Sequence, residues 1–219
     1  MTNEEYFEKR RAEIDAQNAH KLRMYRESNK VAVKGQTVCA GSSLMELFPV
    51  EEFVMNSRSG KIVYNRGMSG FTISQYDAAL NECVLELEPS KLFINIGSND
   101  LNLAGDTIEN LITGYRKLLI RVKNALPECR ITLMAYYPCC KPKEGAVTPP
   151  GRIARTMENV NRANERVEQL AMELECGFIN LNAPLLDEEG FLREELALDA
   201  IHFSADGYAE IFPMLEPLL

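Results

Sequence analysis

The feature that most restricts the fold is an alternation: beyond residue 30, short apolar runs of strand type take turns with longer segments of helical periodicity. Five such runs are present: Thr37 to Ala40, Lys61 to Tyr64, Leu92 to Ile96, Ile131 to Tyr137 and Phe178 to Leu181. They stop at or lead to turn signals, namely Gly41, the group Asn65, Arg66 and Gly67, then Gly97, Pro138 and Pro184. Helical patterns run over Glu46 to Met55, Ile73 to Leu87, Ile108 to Leu126, Arg152 to Glu175 and Ala205 to Leu215. Strands separated by helices and short connections pair in parallel through right-handed crossovers, between two helical layers. The expected fold is therefore α/β, a three-layer sandwich around a five-stranded parallel sheet. Ligands of such sheets bind beyond the carboxyl ends of the strands, so chemistry is expected in the segments that follow strands.

Residues 1–30 differ from the rest. They are highly charged, lack Gly and Pro, and carry only Phe7, Ile14, Leu22 and Tyr25 as a thin apolar stripe. This predicts an N-terminal helical arm that serves packing or homo-oligomer formation, followed by one domain over residues 31–219. A chain of 219 residues with 46% hydrophobic and 26% charged residues falls on the folded side of the boundary with disorder. The formal charge of −8 argues against nucleic acid as a partner, because phosphate-binding surfaces concentrate Lys and Arg. No stretch approaches the roughly 20 apolar residues of a membrane span, and the first residues lack the apolar core of an export signal. A cytoplasmic location is the expectation.

In that setting Cys39, Cys83, Cys129, Cys139, Cys140 and Cys176 read as reduced thiols; none forms a CxxC pair. The adjacent Cys139 and Cys140 would need two more soft ligands to hold zinc, and the chain has only two histidines, so no metal is expected.

Those two histidines narrow the search for a general base. His20 lies in the charged arm and reads as a surface residue. His202 follows Asp199 in the run DAIHFSADGY, where a carboxylate three residues upstream can accept the Nδ1 proton and leave Nε2 free. An Asp that caps a turn beside a structural His has the same spacing. Ser43 occupies a strand-to-helix turn, Gly41-Ser42-Ser43-Leu44, where a hydroxyl is exposed as a nucleophile, although a serine there also serves as a helix cap. After the third strand, Gly97-Ser98-Asn99-Asp100 can present the Asn99 amide to an oxyanion, and in Asn65 to Gly70 the Gly70 N–H is unobstructed. The nucleophile elbow GxSxG, HExxH and a complete phosphate-binding GxxxxGK[ST] are all absent.

Ser43, Gly70, Asn99 and the Asp199/His202 pair each follow a different strand. In this order, and with GxND and DxxHFSxxGY intact, the chain from about Thr37 to Leu215 resembles the SGNH hydrolase superfamily, also called GDSL esterases and lipases. The resemblance implies Ser43 as nucleophile, His202 as base and Asp199 as the acid that orients it. It implies an oxyanion hole made by the Ser43 and Gly70 N–H groups and Asn99. It also implies a flavodoxin-like strand order 2-1-3-4-5, a small-molecule ester as substrate and no cofactor. Two departures are visible: Ser42 stands where the family usually has Asp, and Phe71 follows Gly70 where Asp is frequent. An acyltransferase with the same site, or a non-catalytic interaction module, are the alternative readings. The proline-rich stretch Pro138 to Gly151, with Lys141 and Lys143, is expected to act as a binding loop or lid.

Overall fold

The computed structural model describes residues 2–142, 148–149 and 151–219. Its centre is a sheet of five parallel strands, β1 (Thr37–Gly41), β2 (Val63–Gly67), β3 (Lys91–Asn95), β4 (Arg130–Met134) and β5 (Gly177–Ile179). They lie in the order β2-β1-β3-β4-β5, which agrees with the flavodoxin-like order. Among the described residues, eight α-helices accompany them: α1 (Asn3–Ser28), α2 (Ser43–Glu46), α3 (Val50–Ser57), α4 (Ile73–Ala78), α5 (Leu80–Cys83), α6 (Ile108–Ala125), α7 (Met157–Glu173) and α8 (Ala205–Leu215).

Strand side chains alternate between faces, which is why the sheet carries two cores. Val38, Ala40, Leu92, Ile94, Ile131 and Leu133 meet the buried sides of α4 to α7, including Tyr76, Leu80, Tyr115, Leu118 and Val167. Cys39, Val63, Phe93 and Met134 point the other way, against Leu44, Val54, Tyr208, Ile211 and Leu215 of α2, α3 and α8. Each fully buried large apolar side chain contributes about 1.5–3 kcal/mol, so helices are locked to both faces.

Helix α1 starts with a reciprocal cap: the Thr2 hydroxyl accepts the Glu5 N–H at 3.2 Å while the Glu5 carboxylate accepts the Thr2 N–H at 2.8 Å. Its last turns pack onto the first core through Leu22 and Tyr25. The Arg66 guanidinium sits 4.4 Å from the Tyr25 ring centre, Asn29 donates to the Glu82 carbonyl at 2.8 Å, and Arg26 pairs with Glu82 at 2.7 Å. The arm is therefore fastened along the chain's own body.

The element boundaries depart from expectation where a local signal misled. The helix expected over Glu46 to Met55 is broken into α2 and α3, because Pro49 has no N–H to continue the first and its ring disfavours helical backbone at the residue before it. The expected helix Ile73 to Leu87 likewise falls into α4, α5 and a 3₁₀ turn at Leu85–Leu87. Strand β2 runs on to Gly67 through the turn-like Asn65 and Arg66, whose side chains reach tertiary partners. Asn65 donates to the Met45 and Phe48 carbonyls at 2.7 and 2.8 Å, and Arg66 donates to Asn29 Oδ1 at 3.1 Å. Strand β4 stops at Met134 instead of Tyr137. There the Asn164 amide takes over, accepting the Tyr136 N–H at 2.7 Å and donating to the Tyr136 carbonyl at 3.0 Å.

Of the proline-rich stretch, Lys143 and its neighbours through residue 147, and Pro150, lie outside the described residues; Lys141 pairs with Glu189 at 2.6 Å. Among the described residues no helix is long and apolar enough to cross a membrane.

Candidate functional site

The parallel register sets Gly41 opposite both Gly67 and Asn95, so β1, β2 and β3 end level with one another. The three turns that follow, Ser42–Ser43, Met68–Phe71 and Ile96–Asp100, consequently emerge side by side at the carboxyl edge. The segment after β5 returns to the same edge and carries Asp199 and His202. The five sequence-predicted positions, Ser43, Gly70, Asn99, Asp199 and His202, are thus brought to one edge of the sheet.

Ser43 Oγ lies 2.8 Å from His202 Nε2, and His202 Nδ1 lies 2.7 Å from Asp199 Oδ2. With Nδ1 donating to the carboxylate, Nε2 is left to accept the serine proton. Asp199 uses its second oxygen to build the turn: Oδ1 accepts the Ile201 and His202 N–H groups, both at 2.8 Å. Partial burial pushes this carboxyl up, but the hydrogen bonds from the His202 ring and from these two N–H groups outweigh it and hold Asp199 well below the usual carboxylate range. The turn cap and the histidine partner, rival readings of the DxxH spacing, are two oxygens of one group. Cys140 anchors the loop, its N–H donating to the Ala200 carbonyl at 2.9 Å and its thiol to the Asp199 carbonyl at 3.3 Å.

Opposite lie the candidate oxyanion donors. Among the described residues, neither the Ser43 nor the Gly70 N–H donates to another group. Gly70 has φ +75°, a left-handed backbone that glycine adopts without strain. Asn99 Nδ2 donates to the Phe71 carbonyl at 3.1 Å, leaving its second hydrogen free. Gly97 shows why this turn begins with glycine: besides φ +116°, a Cβ there would stand 2.3 Å from the Tyr136 hydroxyl, which itself donates to the Ile96 carbonyl.

Several supporting residues escaped sequence reasoning. Asp100 accepts the Ile73 N–H with both carboxylate oxygens, at 3.2 and 3.0 Å, and burial raises its pKa to about 6 against the opposing effect of that hydrogen bond. Arg155 and Arg152 donate to the carbonyls of Ser98 and Asn99, at 3.0 and 2.8 Å; burial lowers Arg155 to about 10. Ser42 and Ser98 hydroxyls meet at 3.2 Å, linking the Ser43 turn to the Asn99 turn. Asp100, Ser98 and Ser42 had a local signal in their places beside Asn99 and Ser43; Arg152 and Arg155 had none, and find their partners 53 and 57 positions away.

The profile of the GDSL-like lipase/acylhydrolase family matches residues 51–210, a span that includes Gly70, Asn99, Asp199 and His202 and starts after Ser43. Comparison with curated protein sequences gave no match. Among solved structures, a Streptococcus pneumonia protein provisionally described as a platelet activating factor superposes with a TM-score of 0.87 at 21% identity, covering 99% of each chain. A GDSL-like lipase from Bacteroides thetaiotaomicron gives 0.72 at 20% identity, over 90% of this chain and 96% of that one. An acetylxylan esterase from Geobacillus stearothermophilus gives 0.63 at 20% identity, over 85% and 95%. With the profile spanning well over half of its length, the chain belongs to the GDSL-like lipase/acylhydrolase family of hydrolases.

Proposed function

We propose that the protein is a serine esterase that hydrolyses a small acyl ester through Ser43, His202 and Asp199. The observation that carries the reading is the hydrogen-bonded chain from Ser43 Oγ to His202 Nε2 at 2.8 Å and from His202 Nδ1 to Asp199 at 2.7 Å. His202 Nε2 takes the hydroxyl proton as Ser43 Oγ attacks the ester carbonyl carbon. The oxygen that becomes negative is received by the Ser43 and Gly70 N–H groups and by the free hydrogen of Asn99. Collapse of the tetrahedral adduct expels the alcohol, which takes the proton back from His202 and leaves the acyl group on Ser43. A water molecule, deprotonated by the same nitrogen, attacks the acyl-enzyme and releases the acid. Asp199 keeps its charge throughout, orienting the ring and stabilising the imidazolium.

The test is the Ser43→Ala variant with p-nitrophenyl acetate. Its kcat should drop by about 10⁴ or more with the circular dichroism spectrum unchanged. Activity retained in Ser43→Ala but lost in Ser42→Ala would move the nucleophile to the neighbouring position and overturn this assignment.

A further inference from the structure

The Met68–Phe71 turn is gripped from two sides at one residue. The Ser69 N–H donates to Glu46 Oε2 at 2.6 Å, and the Ser69 carbonyl accepts from Asn18 Nδ2 at 2.7 Å. Glu46 belongs to α2, the helix that Ser43 opens; Asn18 belongs to α1, 51 positions away in sequence and only 4% exposed. A second arm residue closes the arrangement, because Lys21 Nζ pairs with Glu46 Oε1 at 2.5 Å. Ile14, one turn before Asn18 on the same helix face, has its Cγ2 3.5 Å from where a Cβ on Gly70 would stand.

The Ser69 carbonyl and the Gly70 N–H belong to one planar trans peptide, in which C=O and N–H point in opposite directions. Fixing the carbonyl on α1 therefore fixes where the Gly70 N–H aims, away from the arm. Without the Asn18 donor the peptide is free to rotate about the flanking bonds, and the adjacent left-handed glycine offers little resistance.

We propose that Asn18 is a positioning residue for the oxyanion hole, so that the N-terminal arm is a working part of the active site and not only a packing element. This rests on the reading of Gly70 as an oxyanion donor given above. The arm acts through one peptide plane, with the Lys21–Glu46 pair tying the same turn to the nucleophile's helix.

The experiment compares Asn18→Ala and Asn18→Asp with Arg26→Ala. The aspartate keeps the side-chain size without the donor. Arg26→Ala loosens the arm at its Glu82 pair, eight residues or about 12 Å farther along the helix. For each variant, kcat and KM for p-nitrophenyl acetate are measured well below its melting temperature, together with the affinity for an alkylboronic acid, which forms a tetrahedral adduct with an active-site serine. Both Asn18 variants should lose about 10- to 100-fold in kcat, the scale of a misplaced catalytic group, with KM altered less than about twofold. Boronate affinity should fall by the same factor as kcat/KM. Arg26→Ala should match the parent in all three, whatever its melting temperature. Folded Asn18 variants with parental kcat and boronate affinity would reduce the arm to a structural element. Should Asn18→Ala not fold, Asn18→Asp decides by the same readings. An inactive Ser43→Ala alongside parental Asn18 variants refutes the positioning role alone, whereas an active Ser43→Ala removes the esterase reading and this inference together.

Discussion

Asp199→Asn separates the two functions that one carboxylate performs. In the parent, Oδ1 caps the turn through two N–H groups at 2.8 Å, and Oδ2 accepts the His202 Nδ1 proton at 2.7 Å. An asparagine keeps an oxygen for the cap and sets an amide NH₂ against the ring. Nδ1 must then give up its proton to accept, which moves the proton to Nε2, the atom that has to receive it from Ser43. The cap loses charge assistance; with Asp199 56% exposed, solvent already screens much of that, so the cost is about 1 kcal/mol. For a chain of this size that lowers the melting temperature by about 2–4 °C. The wrong tautomer costs far more, about 10³–10⁴ in kcat, or about 4–5.5 kcal/mol of barrier. The assay is kcat for p-nitrophenyl acetate at pH 8 beside a thermal melt of the same sample. A variant whose kcat stays within about threefold of the parent would show that the Asp199–His202 contact is a turn cap and nothing more.

Two further outcomes follow from the site. Asn99→Ala removes one oxyanion donor and should lower kcat by about 10²–10³ with KM little changed; a loss confined to KM would make Asn99 a ground-state binding residue. The stability of the fold should carry a pH signature from Asp100, whose pKa burial raises from 3.8 to about 6. A carboxyl that binds its proton more tightly when folded contributes stability that is complete below its unfolded pKa and lost as pH rises through the folded one. Between pH 4 and 7 the parent should therefore lose about 2 kcal/mol relative to Asp100→Asn in urea unfolding; parallel curves would contradict the desolvation of this group.

The layered fold was legible because it is written in local patterns: five apolar runs, the helices between them and the turn residues that separate them. Helix α8 falls where its periodicity predicts. What failed was local as well. Strand β2 passes through Asn65 and Arg66, residues that on their own spell a turn, because Met45 of α2 and Asn29, just past the end of α1, hold their side chains. The convergence of the candidate residues was legible for another reason: each sits in a short motif at a strand end, and parallel register gathers strand ends. Their supports had no such motif. Asn18 is one polar residue in a charged helix, and nothing near it in sequence points to a carbonyl 51 positions later.

The same distinction explains how the site accommodates its departures from the family pattern. Ser42, standing where the family usually has Asp, is fully buried, and its hydroxyl meets that of Ser98, itself 2% exposed. A carboxylate at this depth would need a cation or several donors to offset its desolvation. Arg155 is the nearby buried cation, and it is already turned to the Ser98 carbonyl. Two neutral hydroxyls bridge the Ser43 turn to the Asn99 turn without that cost, since each can donate or accept. Phe71, standing where Asp is frequent, is buried too, and its backbone carbonyl takes the Asn99 amide hydrogen. At Ser42 the departure exchanges a charged side chain for a neutral link between turns, whereas the link at Phe71 is made by the backbone and does not depend on its side chain. The three turns are thereby cross-tied: Ser42 to Ser98, Phe71 to Asn99, Ile73 to Asp100 and Ser69 to Glu46. A site braced in this way holds Ser43 and its candidate donors in fixed relation, while His202 arrives on a separate loop anchored by Cys140 and the Asp199 turn.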